Sequence, residues 1–113
     1  MIDYLKEYIT EEDFNVINYN FKDVDVNNFR YYEQNIREVL EYLKSIGVFN
    51  FKDILLYRKD ICLKNLDILK EEVNKINKNL IVYLFNNDIS NLINLNIWKY
   101  FSTFAWQVLI RVV

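Results

Sequence analysis

From Phe29 onward, apolar side chains recur at Tyr32, Ile36, Val39, Leu43 and Ile46, in steps of three and four. Only an α-helix brings that spacing onto one face. The stretch ends at Gly47, the single glycine of the chain, where a helix C-terminus is expected. Tyr31, Leu40 and Tyr42 widen the stripe, so this helix should be covered on more than one side. A second seam follows at Leu66, Leu69, Val73 and Ile76. Two such seams in 113 residues, with no proline anywhere, point to helices joined by short polar turns. The expectation is a single helical domain over residues 1–113. It is all-α: a small orthogonal helical array or a short helical-repeat solenoid of about five to seven helices.

Local signals fill in the remainder. Ile2, Leu5 and Ile9 suit a short helix. Thr10 followed by Glu11, Glu12 and Asp13 reads as a cap with acids at the positive end of a helix dipole. Phe14, Ile17 and Phe21 continue at helical spacing, although Ile17, Tyr19 and Phe21 also alternate as a strand would. Residues 22–28 read as a connector. Asp23-x-Asp25-x-Asn27 opens like a calcium loop, but Asn28 stands at the glycine position and Gln34 at the bidentate glutamate position. Asn50 to Asp53 is a cap and first turn before a short buried helix at 54–57, which Arg58-Lys59-Asp60 interrupts. Residues 77–79 read as a turn, and 80–85 as a buried helix.

Charge and composition narrow the chemistry. Net charge is −2, yet residues 1–28 hold Lys6 and Lys22 against seven acids, whereas residues 29–113 carry twelve Lys/Arg against nine Asp/Glu. A split this mild reads as solvated faces rather than the concentrated basic stripe of a nucleic-acid binder. There is no histidine, which removes the commonest general base and metal ligand. Cys62 is the only cysteine, so no disulfide can form within the chain. No glycine-rich phosphate loop, Cys/His metal set or nucleophile–histidine pair is present. No enzyme and no cofactor are expected. The sixteen asparagines reflect AT-rich codon usage and are not read as a binding surface. The N-terminal residues lack the basic-then-apolar order of a signal peptide, and no run of about 18 apolar residues occurs. The expected compartment is the cytoplasm.

An internal echo relates residues 54–61 to 82–89: four apolar positions, two polar ones, then Asp-Ile. A fainter copy runs from Ile17 to Val24. Spacings of this size suit stacked helical repeats. The string Tyr42-Leu43-Lys44-Ser45-Ile46-Gly47-Val48, the short helix 53–57, the break Arg58-Lys59-Asp60-Ile61 and the helix 66–73 resemble the repeat of the mitochondrial transcription termination factor family. The resemblance implies a helical solenoid that binds nucleic acid on a basic concave face. It covers about 35 residues; Lys59 stands where that family has proline, and only one copy carries the glycine.

Two binding surfaces follow. Residues 97–113 are rich in aromatic and aliphatic side chains, with polar residues at Lys99, Thr103, Gln107 and Arg111. As a helix this is an apolar rod with one polar stripe; as a strand, Phe104, Trp106, Val108, Ile110 and Val112 alternate against Thr103, Ala105, Gln107 and Arg111. The segment could close the core, form an interface or lie on a membrane, the last least favoured because its stripe holds only two charges. The first function reading is an interaction module that self-associates as a homo-oligomer or docks a protein partner. Its interface would use Trp98, Tyr100, Phe101, Phe104, Trp106 and Arg111. The second is a nucleic-acid binder with phosphate contacts from Arg30, Arg37, Lys44, Lys52, Arg58, Lys59, Lys64, Lys70, Lys75 and Lys78. No small-molecule substrate is inferred.

Overall fold

The computed structural model describes residues 2–87 and Ile89. Every element among them is helical. A 3-10 turn, Asp3–Glu7, precedes α1 (Glu11–Asn20), α2 (Asp23–Tyr31), α3 (Glu33–Ser45), α4 (Phe51–Tyr57), α5 (Lys59–Cys62), α6 (Leu66–Ile76) and α7 (Lys78–Asn87). The all-α expectation holds among the described residues.

Side-chain caps start α1, α6 and α7. Thr10 Oγ accepts the Asp13 N–H at 3.1 Å and starts α1, as its sequence suggests. That choice settles the strand alternative: Ile17 is fully buried while Tyr19 points to water. Asn65 caps α6 by accepting the N–H groups of Asp67 and Ile68 at 2.9 and 3.2 Å. Asn77 accepts the Leu80 N–H at 3.2 Å and starts α7, so residues 78–79 lie in a helix and not in a turn.

At the end of α3, Val48 N–H bonds to the Leu43 carbonyl and Gly47 N–H to the Lys44 carbonyl, at 2.9 and 3.1 Å. This is a Schellman closure, and it requires the left-handed conformation that Gly47 adopts at φ 109°. Leu43 and Val48, which the closure brings together, are both buried.

Two expectations are corrected. Residues 22–28 are not a connector, because α2 starts at Asp23. The Asp25 carboxylate accepts the Lys22 backbone N–H at 3.0 Å, and Asp23 and Asp25 face the positive end of the dipole. The single helix expected from Phe29 is two helices. Tyr32 sits at φ −100°, ψ 26°, outside helical geometry, which ends α2 and starts α3. Phe29 therefore packs on Phe21, with ring centroids 4.9 Å apart, rather than extending the α3 seam. Tyr31 and Tyr32 remain exposed.

The core is built from Ile36, Val39, Leu40 and Leu43 of α3, met by Leu5, Ile17, Ile54, Leu55, Ile61, Leu69 and Val73, none of which reaches solvent. α1 lies on α4, α3 on α5 and α6, and α6 on α7. Tyr4 bridges the N-terminal turn to α2 by donating its hydroxyl to the Phe29 carbonyl at 2.6 Å. Burial raises its phenol well above the ordinary tyrosine value.

The sequence echo is not an echo of burial. Ile54 and Leu55 are buried and Tyr57 is exposed, whereas Val82 is half-buried, Tyr83 exposed and Phe85 buried. The chain breaks at Arg58 within the first copy, whereas α7 runs unbroken through the corresponding position, Asn86, to Asn87.

Candidate interaction surface

Each cation proposed for phosphate contact has a definite place. Arg37 pairs with Glu7 and Glu33, both at 2.8 Å, and lies 5.0 Å from the Tyr4 ring centre. Lys52 reaches Asp13 at 3.7 Å. Lys59 reaches Asp25 at 2.8 Å, over the Phe21 ring. Lys64 pairs with Glu72 at 3.5 Å, and Lys70 lies over Tyr42. Arg58 is buried. Its Nε and an Nη grip both Asp60 oxygens at 3.0 and 2.9 Å, a two-pronged pair between residues two apart. Arg30, Lys44, Lys75 and Lys78 form no ion pair among the described residues. The candidate set thus divides into five cations paired with acids within the fold (Arg37, Lys52, Arg58, Lys59 and Lys64) and five without an acidic partner among the described residues, of which Lys70 lies over the Tyr42 ring.

The Asp25 pair carries a pH signature. Burial alone would push its carboxyl upward, but the Lys59 ammonium and the Lys22 N–H hold it below its ordinary value. A carboxyl depressed in the folded state stabilises at pH values above its unfolded pKa, near ~3.9, and that contribution is lost as pH falls through the folded value. Urea midpoints measured between about pH 5 and pH 2 are therefore expected to fall less steeply for Asp25→Asn than for the parent chain. Equal slopes would mean that the pair adds nothing.

A second constellation joins α7 to the connector after α3. The Asn86 side chain donates to the Gly47 carbonyl at 3.1 Å and accepts the N–H groups of Phe49 and Asn50 at 2.9 and 3.3 Å. Asn50 answers by donating to the Phe85 and Asn86 carbonyls at 3.3 and 3.4 Å and to Asp53 at 3.0 Å. Asn50 therefore does not cap α4 with its own side chain, as the sequence suggested. The amides clasp the connector against the end of α7. Phe49 is held there with 73% of its surface exposed, and Tyr83, one helical turn before Asn86, is exposed as well. Sequence reasoning missed this clasp, because nothing local distinguishes Asn50 and Asn86 from the other asparagines.

A second aromatic site stands at the α2–α3 corner. The rings of Tyr31 and Tyr32 meet edge to face at 4.7 Å, beside the unpaired Arg30. Asn35 of α3 fastens the same end of that helix to the α5–α6 link by donating to the Lys64 carbonyl at 2.9 Å. Between α3 and α6 lies an open groove of about 550 Å³, with Arg37, Glu38, Glu41, Tyr42 and Lys70 among its lining residues. Its charges are of both signs. Cys62 is fully buried, and burial pushes its thiol up to about 12, away from nucleophilic use at neutral pH.

The proposed interface residues Trp98, Tyr100, Phe101, Phe104, Trp106 and Arg111 lie outside the described residues. Among the described residues no group of acids and thiols is arranged to hold a metal ion, and no helix is long and apolar enough to cross a membrane. The Asp23–Asn27 stretch forms the first turn and a half of α2, with Asp25 committed to Lys59. No family model matches the chain, no curated protein is similar to it, and no solved structure matches its fold.

Proposed function

We propose that the chain is a non-enzymatic interaction module that self-associates, acting in the cytoplasm. One observation carries the reading: the described helices close their own apolar core, yet Tyr31, Tyr32, Phe49 and Tyr83 stay exposed, Phe49 on a connector clasped by Asn86. Tyrosine, tryptophan and arginine anchors held in place before binding are what interface hot spots are made of. Trp98, Tyr100, Phe101, Phe104, Trp106 and Arg111 add anchors of the same kind in sequence. A second copy or a protein partner would bury them.

The test is light scattering coupled to size-exclusion chromatography on the full chain at tens of micromolar. The expected mass is a dimer or larger. The double variant Trp98→Ala/Trp106→Ala is expected to shift toward monomer with its helical circular dichroism retained. A strict monomer in the parent chain would remove the self-association reading.

The alternative is a nucleic-acid binder of the termination-factor type. It is favoured by Arg30, Lys44, Lys75 and Lys78, which have no acidic partner among the described residues, and by the succession of a glycine turn, a short α4, a break and a longer α6. Binding of duplex or single-stranded nucleic acid at low salt would support it.

A further inference from the structure

α2 has two apolar faces, and the core uses one. Phe29 is buried and Val26 half-buried against the core. On the opposite side Val24 and Tyr31 are 59% and 81% exposed. They stand seven residues apart, two helical turns, on one stripe with Asn27 and Asn28 between them. The Tyr31 ring meets the exposed Tyr32 edge to face, so the stripe ends on an aromatic pair. Asp23 and Arg30 lie along one flank of the stripe, again seven residues apart. Both are exposed, and neither forms an ion pair among the described residues. We infer that this face binds the same face of a second copy, α2 against α2 and antiparallel. The inference rests on the self-association reading and adds a surface to it.

The pattern is self-complementary in one direction only. About a two-fold axis between Asn27 and Asn28, Val24 of one copy lies against Tyr31 of the other, and Tyr31 against Val24. Asparagine amides meet near the axis, and each amide both donates and accepts, so the two copies can satisfy each other. The same axis sets each flank against its own copy running the opposite way. Arg30 then stands beside the second copy's Asp23, and Asp23 beside the second copy's Arg30, two pairs of opposite charge. Within one chain these residues cannot pair, because seven residues of helix hold them about 10 Å apart. In a parallel pair the Asp23 and Arg30 flank would face the other flank, where Asn28 stands and Asp25 is committed to Lys59. An interface built on two helical turns falls below about 1,200 Å² in total, the class of transient contacts. Through this face the chain is therefore expected to associate over tens to hundreds of micromolar.

The experiment is sedimentation velocity on the full chain, over tens to hundreds of micromolar, for the parent, Arg30→Glu, Asp23→Lys and an equimolar mixture of the two variants. Each variant alone sets like charges against each other at both pairs and should weaken association at least about tenfold. The mixture matches every charge again and should regain the parent behaviour. A parent that stays monomeric throughout removes the self-association reading and this inference together. A parent that associates, with Arg30→Glu associating equally well, overturns this inference alone and leaves the reading standing. Variants that weaken association without recovery on mixing overturn the antiparallel arrangement. Asp23→Lys places a cation at the positive end of the α2 dipole. If it fails to fold, Val24→Ser/Tyr31→Ser leaves the charges in place and should weaken association as much, with helical circular dichroism retained; no weakening overturns the inference.

Discussion

Leu43→Ala is expected to lower the free energy of unfolding by about 2–5 kcal/mol, read from urea midpoints at neutral pH. Leu43 is wholly buried near the end of α3, just before the glycine turn that closes the helix. Its carbonyl also takes the Val48 N–H, and its side chain shares the buried space with Val48. Truncation removes transfer free energy and leaves a cavity that a helix closed by a rigid glycine turn fills poorly. A domain of this size has about 5–15 kcal/mol in all, so the loss is a large fraction of the total. Its neighbour supplies the control. Lys44 is exposed and forms no ion pair among the described residues, and Lys44→Ala should change stability by no more than about 0.5 kcal/mol. Equal effects at the two positions would contradict the helix register on which the core depends.

Asn86→Ala is expected to cost about 1–3 kcal/mol, the range for removing a side chain that satisfies several backbone groups. Three hydrogen bonds to Gly47, Phe49 and Asn50 are lost together. The sharper readout is hydrogen exchange: the Phe49 and Asn50 amides should lose protection while the α3 amides keep theirs. Asn87→Ala is the comparison, because among the described residues the Asn87 side chain bonds to the Tyr83 carbonyl of its own helix and not to the connector. It should leave both the midpoint and the Phe49 exchange rate near those of the parent. If Asn86 and Asn87 behave alike, the clasp does not hold the connector.

The two positions mark different depths of legibility. Leu43 was readable because helical periodicity is a local property: residues three and four apart share a face whatever surrounds them. The same reason made the Gly47 turn, the Thr10 cap and the α6 seam legible. α2 was not legible, because Asp23, Asp25, Asn27 and Asn28 are weak helix formers. That helix is held by a local carboxylate cap from Asp25, three residues from the Lys22 N–H it accepts, and by Phe29 packing on Phe21, which is seen only in the folded chain. The break at Tyr32 was hidden for a related reason. Phe29 continues the spacing of α3, and only its burial against another element shows that it belongs elsewhere.

The charges and asparagines separate in the same way. The sequence displays an acidic start and a basic remainder, but which acid meets which cation depends on how α1 and α2 lie over the later helices. Sixteen asparagines look like composition, and two of them nevertheless clasp the connector to α7 while Asn65 and Asn77 start helices. By itself the sequence determined the helical class, the inward faces of α3 and α6 and the glycine-closed turn, because these follow from spacing along one backbone. Only the tertiary structure decided the α2–α3 corner, the exposure of Phe49 and the internal pairing of the cations. Each of those depends on groups that are far apart in the chain and adjacent only after folding.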